Sequence, residues 1–275
     1  MLQLAISVYL LAGAVAPDEA TVLYHLGSVY RRQARYTEAE RVTRQALAIW
    51  QCATPVDELK LAAGYSNLAG VLTDQGHYKE AELNYARALA ILQSRLGPQH
   101  GDVGAVLLNR GLLFDAERRF KPAGSDLRRA LEILEQASGP RHPRTIACVN
   151  GLGLVAYHEH RYADAETYLR RAVEWKEQVA GPENPDLAAS LTNLGAVYRA
   201  EARYGEAERA LSRALEIQTR TLGTCHPYTA GTMLEYAKLL RATKRKSEGL
   251  RLEALARSVR NSFAGYTVDV GMLSR

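Results

Sequence analysis

The sequence predicts an all-α protein built from stacked antiparallel helical hairpins, and three observations carry that prediction. A unit of 42 residues recurs in register along most of the 275-residue chain. Within each unit, apolar residues fall three and four apart on both sides of an aromatic turn, the spacing of two amphipathic helices. Composition agrees: apolar residues make up 47% of the chain, aromatics only 7%, and glycine and proline gather in a few clusters.

The chain opens with Met1 to Pro17, which carry no charged side chain. The apolar run Leu2 to Ala12 and the small residues that follow resemble the hydrophobic region and cleavage site of a secretory signal peptide, with no Lys or Arg before them. Residues 1–16 are read either as such a signal or as an apolar cap on the array. The run is too short to span a bilayer comfortably. The compartment is periplasmic or secreted under the first reading and cytoplasmic under the second.

From residue 17 to 260 the repeat governs every element. A small residue marks the first helix of each hairpin at Gly27, Ala69, Gly111, Gly153, Gly195 and Ala237, each step being 42 residues. The turn aromatic follows at Tyr36, Tyr78, Phe120, Tyr162 and Tyr204, then an alanine at Ala39, Ala81, Ala123, Ala165 and Ala207. Between hairpins lies a breaker such as Ser138-Gly139-Pro140-Arg141-His142-Pro143, in which glycine stops one helix and proline suits the first turn of the next. Asp102 and Asp186 then favour the positive end of the helix dipole.

Two copies depart from the frame. The third has Arg110 in place of leucine and Pro122-Ala123-Gly124 in place of Glu-Ala-Glu, which predicts a second helix that starts late or frays. The sixth keeps its first helix but reads Lys244-Arg245-Lys246-Ser247 at the turn and Gly249 for the alanine, as a degenerate capping repeat with a polar outer face. Residues 261–275 lose helical periodicity and form a tail.

The run NLGAVYRAEARYGEAERALSRALEI, from Asn193 to Ile217, resembles the tetratricopeptide repeat. The usual repeat is ~34 residues. The longer unit with its Gly-Pro-x-His connector resembles the repeats of kinesin light chains and their bacterial relatives. The resemblance implies a right-handed superhelical α-solenoid whose concave wall is lined by the first helix of each hairpin, a binding surface and no catalytic centre. The heptad coiled coil of kinesin light chains is not present in this sequence, so a kinesin subunit is not implied.

The position two residues before the small anchor is His25, Asn67, Asn109, Gly151, Asn193 and Glu235. By resemblance, asparagines there form a ladder that pairs with the backbone of an extended peptide, since a carboxamide offers both donor and acceptor. The plainer alternative is that they cap a neighbour or face water. Tyr24, Arg31, Arg199, Lys238 and Arg241 fall on the same face, and their positive excess predicts an acidic or C-terminal-carboxylate partner.

Other functions find little support. No phosphate-binding glycine loop, nucleophile elbow or paired-carboxylate motif appears, so neither an enzyme nor a cofactor is expected. His158 and His160 are two apart, about 200° around a helix, and cannot share a metal as an i, i+4 pair would. His100, His142 and His226 belong to the connectors as helix-start residues. Cys52, Cys148 and Cys225 have no metal-ligand spacing and are read as small apolar fillers. The net charge of +5 is spread among alternating acids and bases, which does not suggest a nucleic-acid stripe. The sequence therefore predicts a non-catalytic scaffold that binds a peptide or protein partner. The competing reading is a module that self-associates into homo-oligomers through exposed repeat ends.

Overall fold

The computed structural model describes residues 16–262. Among these residues there are twelve helices and no strand. In chain order they are α1 (Ala16–Arg32), α2 (Tyr36–Cys52), α3 (Glu58–Asp74), α4 (Tyr78–Leu96), α5 (Gly101–Ala116), α6 (Phe120–Ser138), α7 (Pro143–His158), α8 (Tyr162–Ala180), α9 (Pro185–Ala200), α10 (Tyr204–Leu222), α11 (Pro227–Ala242) and α12 (Lys246–Ser262). The chain divides between Leu113 and Phe114 into two compact units. In the first, α1 packs on α2, α2 on α3 and α3 on α4; in the second, the same succession runs from α7 to α12. This is the tetratricopeptide-like solenoid arrangement of antiparallel helix pairs. The signal-peptide reading of residues 1–16 falls almost wholly outside the described residues, as does the tail beyond Ser262.

The turn inside every hairpin is closed in the same way. Residues 34, 76, 118, 160, 202 and 244 all have positive φ, although only Gly76 is a glycine. The next amide then bonds back to a carbonyl five residues earlier: Arg35 N–H to Tyr30 O, Arg161 N–H to Ala156 O, Arg203 N–H to Tyr198 O and Arg245 N–H to Leu240 O. This 6→1 bond ends the first helix by satisfying a carbonyl that would otherwise have no partner.

The connector between hairpins uses a different glycine conformation. Gly97 has φ +87° and ψ 157°, and Gly139, Gly181 and Gly223 match it closely. A side chain is poorly tolerated there, so glycine recurs for a backbone reason. The following helix is then capped by the same position each time. Nδ1 of His142 accepts from Arg144 N–H at 3.2 Å, Oδ1 of Asn184 accepts from Asp186 N–H at 2.7 Å, and Nδ1 of His226 accepts from Tyr228 N–H at 3.2 Å.

The small residues mark close helix crossings. A Cβ on Gly195 would lie 2.6 Å from Leu211 Cγ, and one on Gly153 would lie 2.7 Å from Leu169 Cγ. At Gly249 it would meet the backbone oxygen of Ala237 at 2.9 Å, so the sixth hairpin is pressed tighter than alanine would allow.

The late start expected of the third hairpin's second helix does not occur. The helix α6 begins at Phe120, in the same register as Tyr78, Tyr162 and Tyr204. Pro122 lies in its first turn, where an amide has no intrahelical acceptor to lose. The cysteine reading also needs correction, because only Cys148 is buried while Cys52 and Cys225 are exposed.

The last hairpin ends its unit with a polar face. In α2, Leu47 and Trp50 receive the next helix, lying 2.6 and 3.1 Å from where a Cβ on Gly64 would sit. One to four repeats later these positions are Leu89, Leu131, Val173 and Leu215, and Leu92, Leu134, Lys176 and Gln218. In α12 they are Arg257 and Arg260, both exposed.

Candidate interaction surfaces

The six ladder positions differ in accessibility. In the first unit, His25 on α1 and Asn109 on α5 are exposed, and Asn67 on α3 is half-buried. Asn67 donates through Nδ2 to Ser28 Oγ at 3.3 Å and to Tyr24 O at 3.5 Å, so part of its capacity holds α3 to α1. Its two recorded bonds leave Oδ1 to accept. Tyr24 meets His25 edge-on and Trp50 at a tilt, with ring centroids at 5.2 and 5.7 Å. Arg31 is bound to Asp74 through Nε at 2.5 Å, and its guanidinium lies where a Cβ on Gly70 would be. Its charge is thereby largely answered within the chain.

In the second unit the same positions are enclosed. Gly151 and Glu235 are buried, and Asn193 is 1% exposed on α9, which lies between α7 and α11. Neither atom of the Asn193 amide makes a hydrogen bond. The repeat explains why: the position equivalent to Ser28, which answers Asn67, is Leu154 beside Asn193. The Glu235 carboxylate is held by Lys238 Nζ at 2.5 Å and lies 3.5 Å from Arg199 Nη2. Arg199 Nη2 also reaches Tyr157 Oη at 3.4 Å, while its Nε has no partner. Burial pushes the Tyr157 phenol above its ordinary value, with Arg199 opposing the shift. Arg241 is exposed and pairs with Glu253 at 3.3 Å.

The histidines are used separately. His158 meets Asp115 at 2.9 Å and stacks on Phe120, whereas His160 sits in the turn beside the Tyr162 hydroxyl at 2.9 Å. Among the described residues no group of three His, Cys, Asp or Glu side chains could hold a metal ion.

Two features were not drawn from the sequence. The turn arginine clamps neighbouring hairpins: Arg203 binds Glu166 of the preceding pair along with Glu201 and Glu206, and lies over the Tyr198 ring. Hydrogen bonding to Arg203 holds the Glu166 carboxyl below its usual range. The recurrence of arginine at residues 35, 119, 161, 203 and 245 was the available signal. The second feature is Lys246. It replaces the turn aromatic and helps line a cavity with Lys238 and Arg241.

Sequence profiles of the tetratricopeptide repeat match residues 60–136, 119–178, 145–218 and 186–261, and a further one matches residues 20–51. The chain belongs to the tetratricopeptide repeat family. Among solved structures it is similar to BtubC (BKLC) from P. vanneervenii, with 26% identity and a TM-score of 0.65 over 76% of this chain and 83% of that one. A Podosopora anserina protein of nearly identical TPR-like repeats, named for the kinesin light chain, is 21% identical with a TM-score of 0.60 over 75% and 97% of the two chains. A Rap protein complexed with Competence and Sporulation Factor shares 14% identity and a TM-score of 0.69 over 90% and 76%. No curated protein matches the chain. Among the described residues, no helix is long and apolar enough to cross a membrane.

Proposed function

We propose that the protein is a non-catalytic scaffold that binds an extended peptide segment of a partner protein along the first helices of its hairpins. The observation that carries this reading is the accessible row His25, Asn67 and Asn109 in the first unit, repeated every 42 residues on α1, α3 and α5. Side chains that both donate and accept can pair with successive peptide bonds without selecting side chains. The family supports a protein partner, since stacked helix pairs present extended binding surfaces. A preference for acidic segments draws on the excess of Arg199, Lys238 and Arg241 over the carboxylates that engage them, Glu235 and Glu253, in the second unit. Arg31 adds little to that excess, because Asp74 answers it one for one.

The test is selection of a random peptide library on the wild-type chain, with the enriched peptides measured by calorimetry. Changing His25, Asn67 and Asn109 together to alanine should weaken binding by about 1 to 3 kcal/mol, the order expected for lost hydrogen bonds. Equal affinity for the triple variant, or no enrichment at all, would sink the reading. Circular dichroism of the variant controls for folding.

A further inference from the structure

In the second unit a cavity of about 570 Å³ is lined by Lys238, Arg241, Ala242 and Lys246, with no carboxylate in its wall. Its origin lies in the repeat. The position of Lys246 is Tyr36, Tyr78, Phe120, Tyr162 or Tyr204 in the other hairpins. There the ring fills space: Tyr162 packs against Tyr157, and Phe120 against His158. The position of Lys238 is Ser28, Gly70, Leu112, Leu154 or Ala196 elsewhere. Lysine enters both columns only in the last hairpin, so the lost ring opens the space and the two lysines charge it.

The charges are incompletely answered from within. Arg199 and Lys238 share the buried Glu235, and Arg241 and Arg257 share Glu253. Lys246 has no acidic partner among the described residues. These five cations around two carboxylates leave a net charge of +3. Like charges brought together on a protein repel unless a counter-charge joins them. Lys246 is also the first residue of α12, so the cavity lies at the amino end of a long helix, where the backbone adds positive field. Glu248 in that first turn does not line the cavity; it accepts from Nε and Nη2 of Arg245, at 3.0 and 2.7 Å.

We propose that this cavity binds a phosphate-type oxyanion. A tetrahedral dianion has enough acceptor oxygens to meet three separate cationic side chains, and charge-assisted bonds of this kind are short and strong. The site lies in the second unit and uses none of His25, Asn67 and Asn109; it shares Lys238 and Arg241 with the proposed acidic preference, and a phosphorylated partner segment could supply the anion.

Calorimetric titration with inorganic phosphate, against sodium chloride at equal ionic strength, tests it directly. Wild type should bind phosphate specifically. Lys246→Ala removes one cation and Lys246→Tyr restores the ring of the other hairpins; each should weaken binding by about tenfold or more, the loss of one charge-assisted contact. Lys246 is exposed and unpaired, so both variants should fold. A phosphoserine octapeptide and its unphosphorylated form separate the sources: tighter binding of the phosphopeptide than of phosphate assigns the anion to a partner segment, and equal binding assigns it to the free ion. The His25, Asn67 and Asn109 triple variant should bind phosphate normally, so the failure of one proposal is distinguishable from failure of the other. No phosphate-specific heat in wild type, or unchanged affinity in both Lys246 variants, overturns the inference.

Discussion

At the residue scale, side-chain size and local neighbours decide more than residue type does. Gly195 is small because Leu211 and the Ala207 carbonyl stand 2.6 and 3.4 Å from where its Cβ would be. Gly195→Leu should therefore destabilise the fold by ~1 to 3 kcal/mol through overpacking, read as a lower denaturant midpoint at unchanged slope. An unchanged midpoint would mean that α9 and α10 can separate freely. The glycine was legible in the sequence because a missing side chain repeats with the period. Five of the six left-handed turn residues were not legible, because Ala34, Arg118, His160, Ala202 and Lys244, unlike Gly76, give no local hint of positive φ. Their conformation is imposed by the helix-ending bond and the packing of the flanking helices. Asn67 and Asn193 are likewise equivalent by period yet unlike in exposure. What separates them is whether Ser28 or Leu154 stands alongside.

At the element scale, helix capping links the sequence to pH. His226 caps α11 through Nδ1, which can accept from Tyr228 N–H only while that nitrogen carries no proton. Burial pushes its pKa below the ordinary imidazole value. The unfolded chain, with an imidazole near 6.5, thus binds the proton more readily than the folded one. The cap's contribution is complete above about pH 6.5 and is lost as pH falls below that value. Protonation also sets a positive charge against the positive end of the helix dipole. The neighbouring connector contains a control, because Asn184 caps α9 at the equivalent position without titrating there. His226→Asn should leave stability at pH 8 nearly unchanged and recover about 1 kcal/mol at pH 5, the usual value of a cap. Chemical denaturation of both proteins across pH 5 to 8 measures this. Parallel pH profiles would show that His226 is not the titrating cap. The existence and register of these helices were readable from the connectors, including the histidines as helix-start residues. Proline and glycine alone suggested a weaker third hairpin, but Pro122 falls within a first turn and costs α6 nothing in length.

At the scale of the whole molecule, the outer face of the last described hairpin bears on whether one chain stacks on another. In the interior hairpins, leucine or valine at residues 47, 89, 131, 173 and 215 belongs to the face that receives the next pair. Arg257 replaces that residue in α12, and Arg260 stands in the neighbouring column, which is already Lys176 and Gln218 in the two preceding hairpins; both arginines are exposed, with Arg257 anchored to Glu253 at 2.6 Å. A charged end resists stacking because a second repeat would have to strip water from guanidinium groups without supplying partners. This argues against self-association through the carboxyl-terminal hairpin, although Leu250 and Leu255 on the same helix are half-exposed. Arg257→Leu and Arg260→Leu together reproduce the apolar pair of the second and third hairpins, Leu89 with Leu92 and Leu131 with Leu134. Being surface changes, they should alter monomer stability by no more than about 0.5 kcal/mol, while creating an interface that promotes association. Sedimentation velocity over a hundredfold concentration range should find the wild type at a constant coefficient and the double variant moving to larger species as concentration rises. Concentration-dependent assembly of the wild type would reverse the conclusion, since arginines at the exposed end would then be compatible with stacking and the self-associating module would become the better account of the chain.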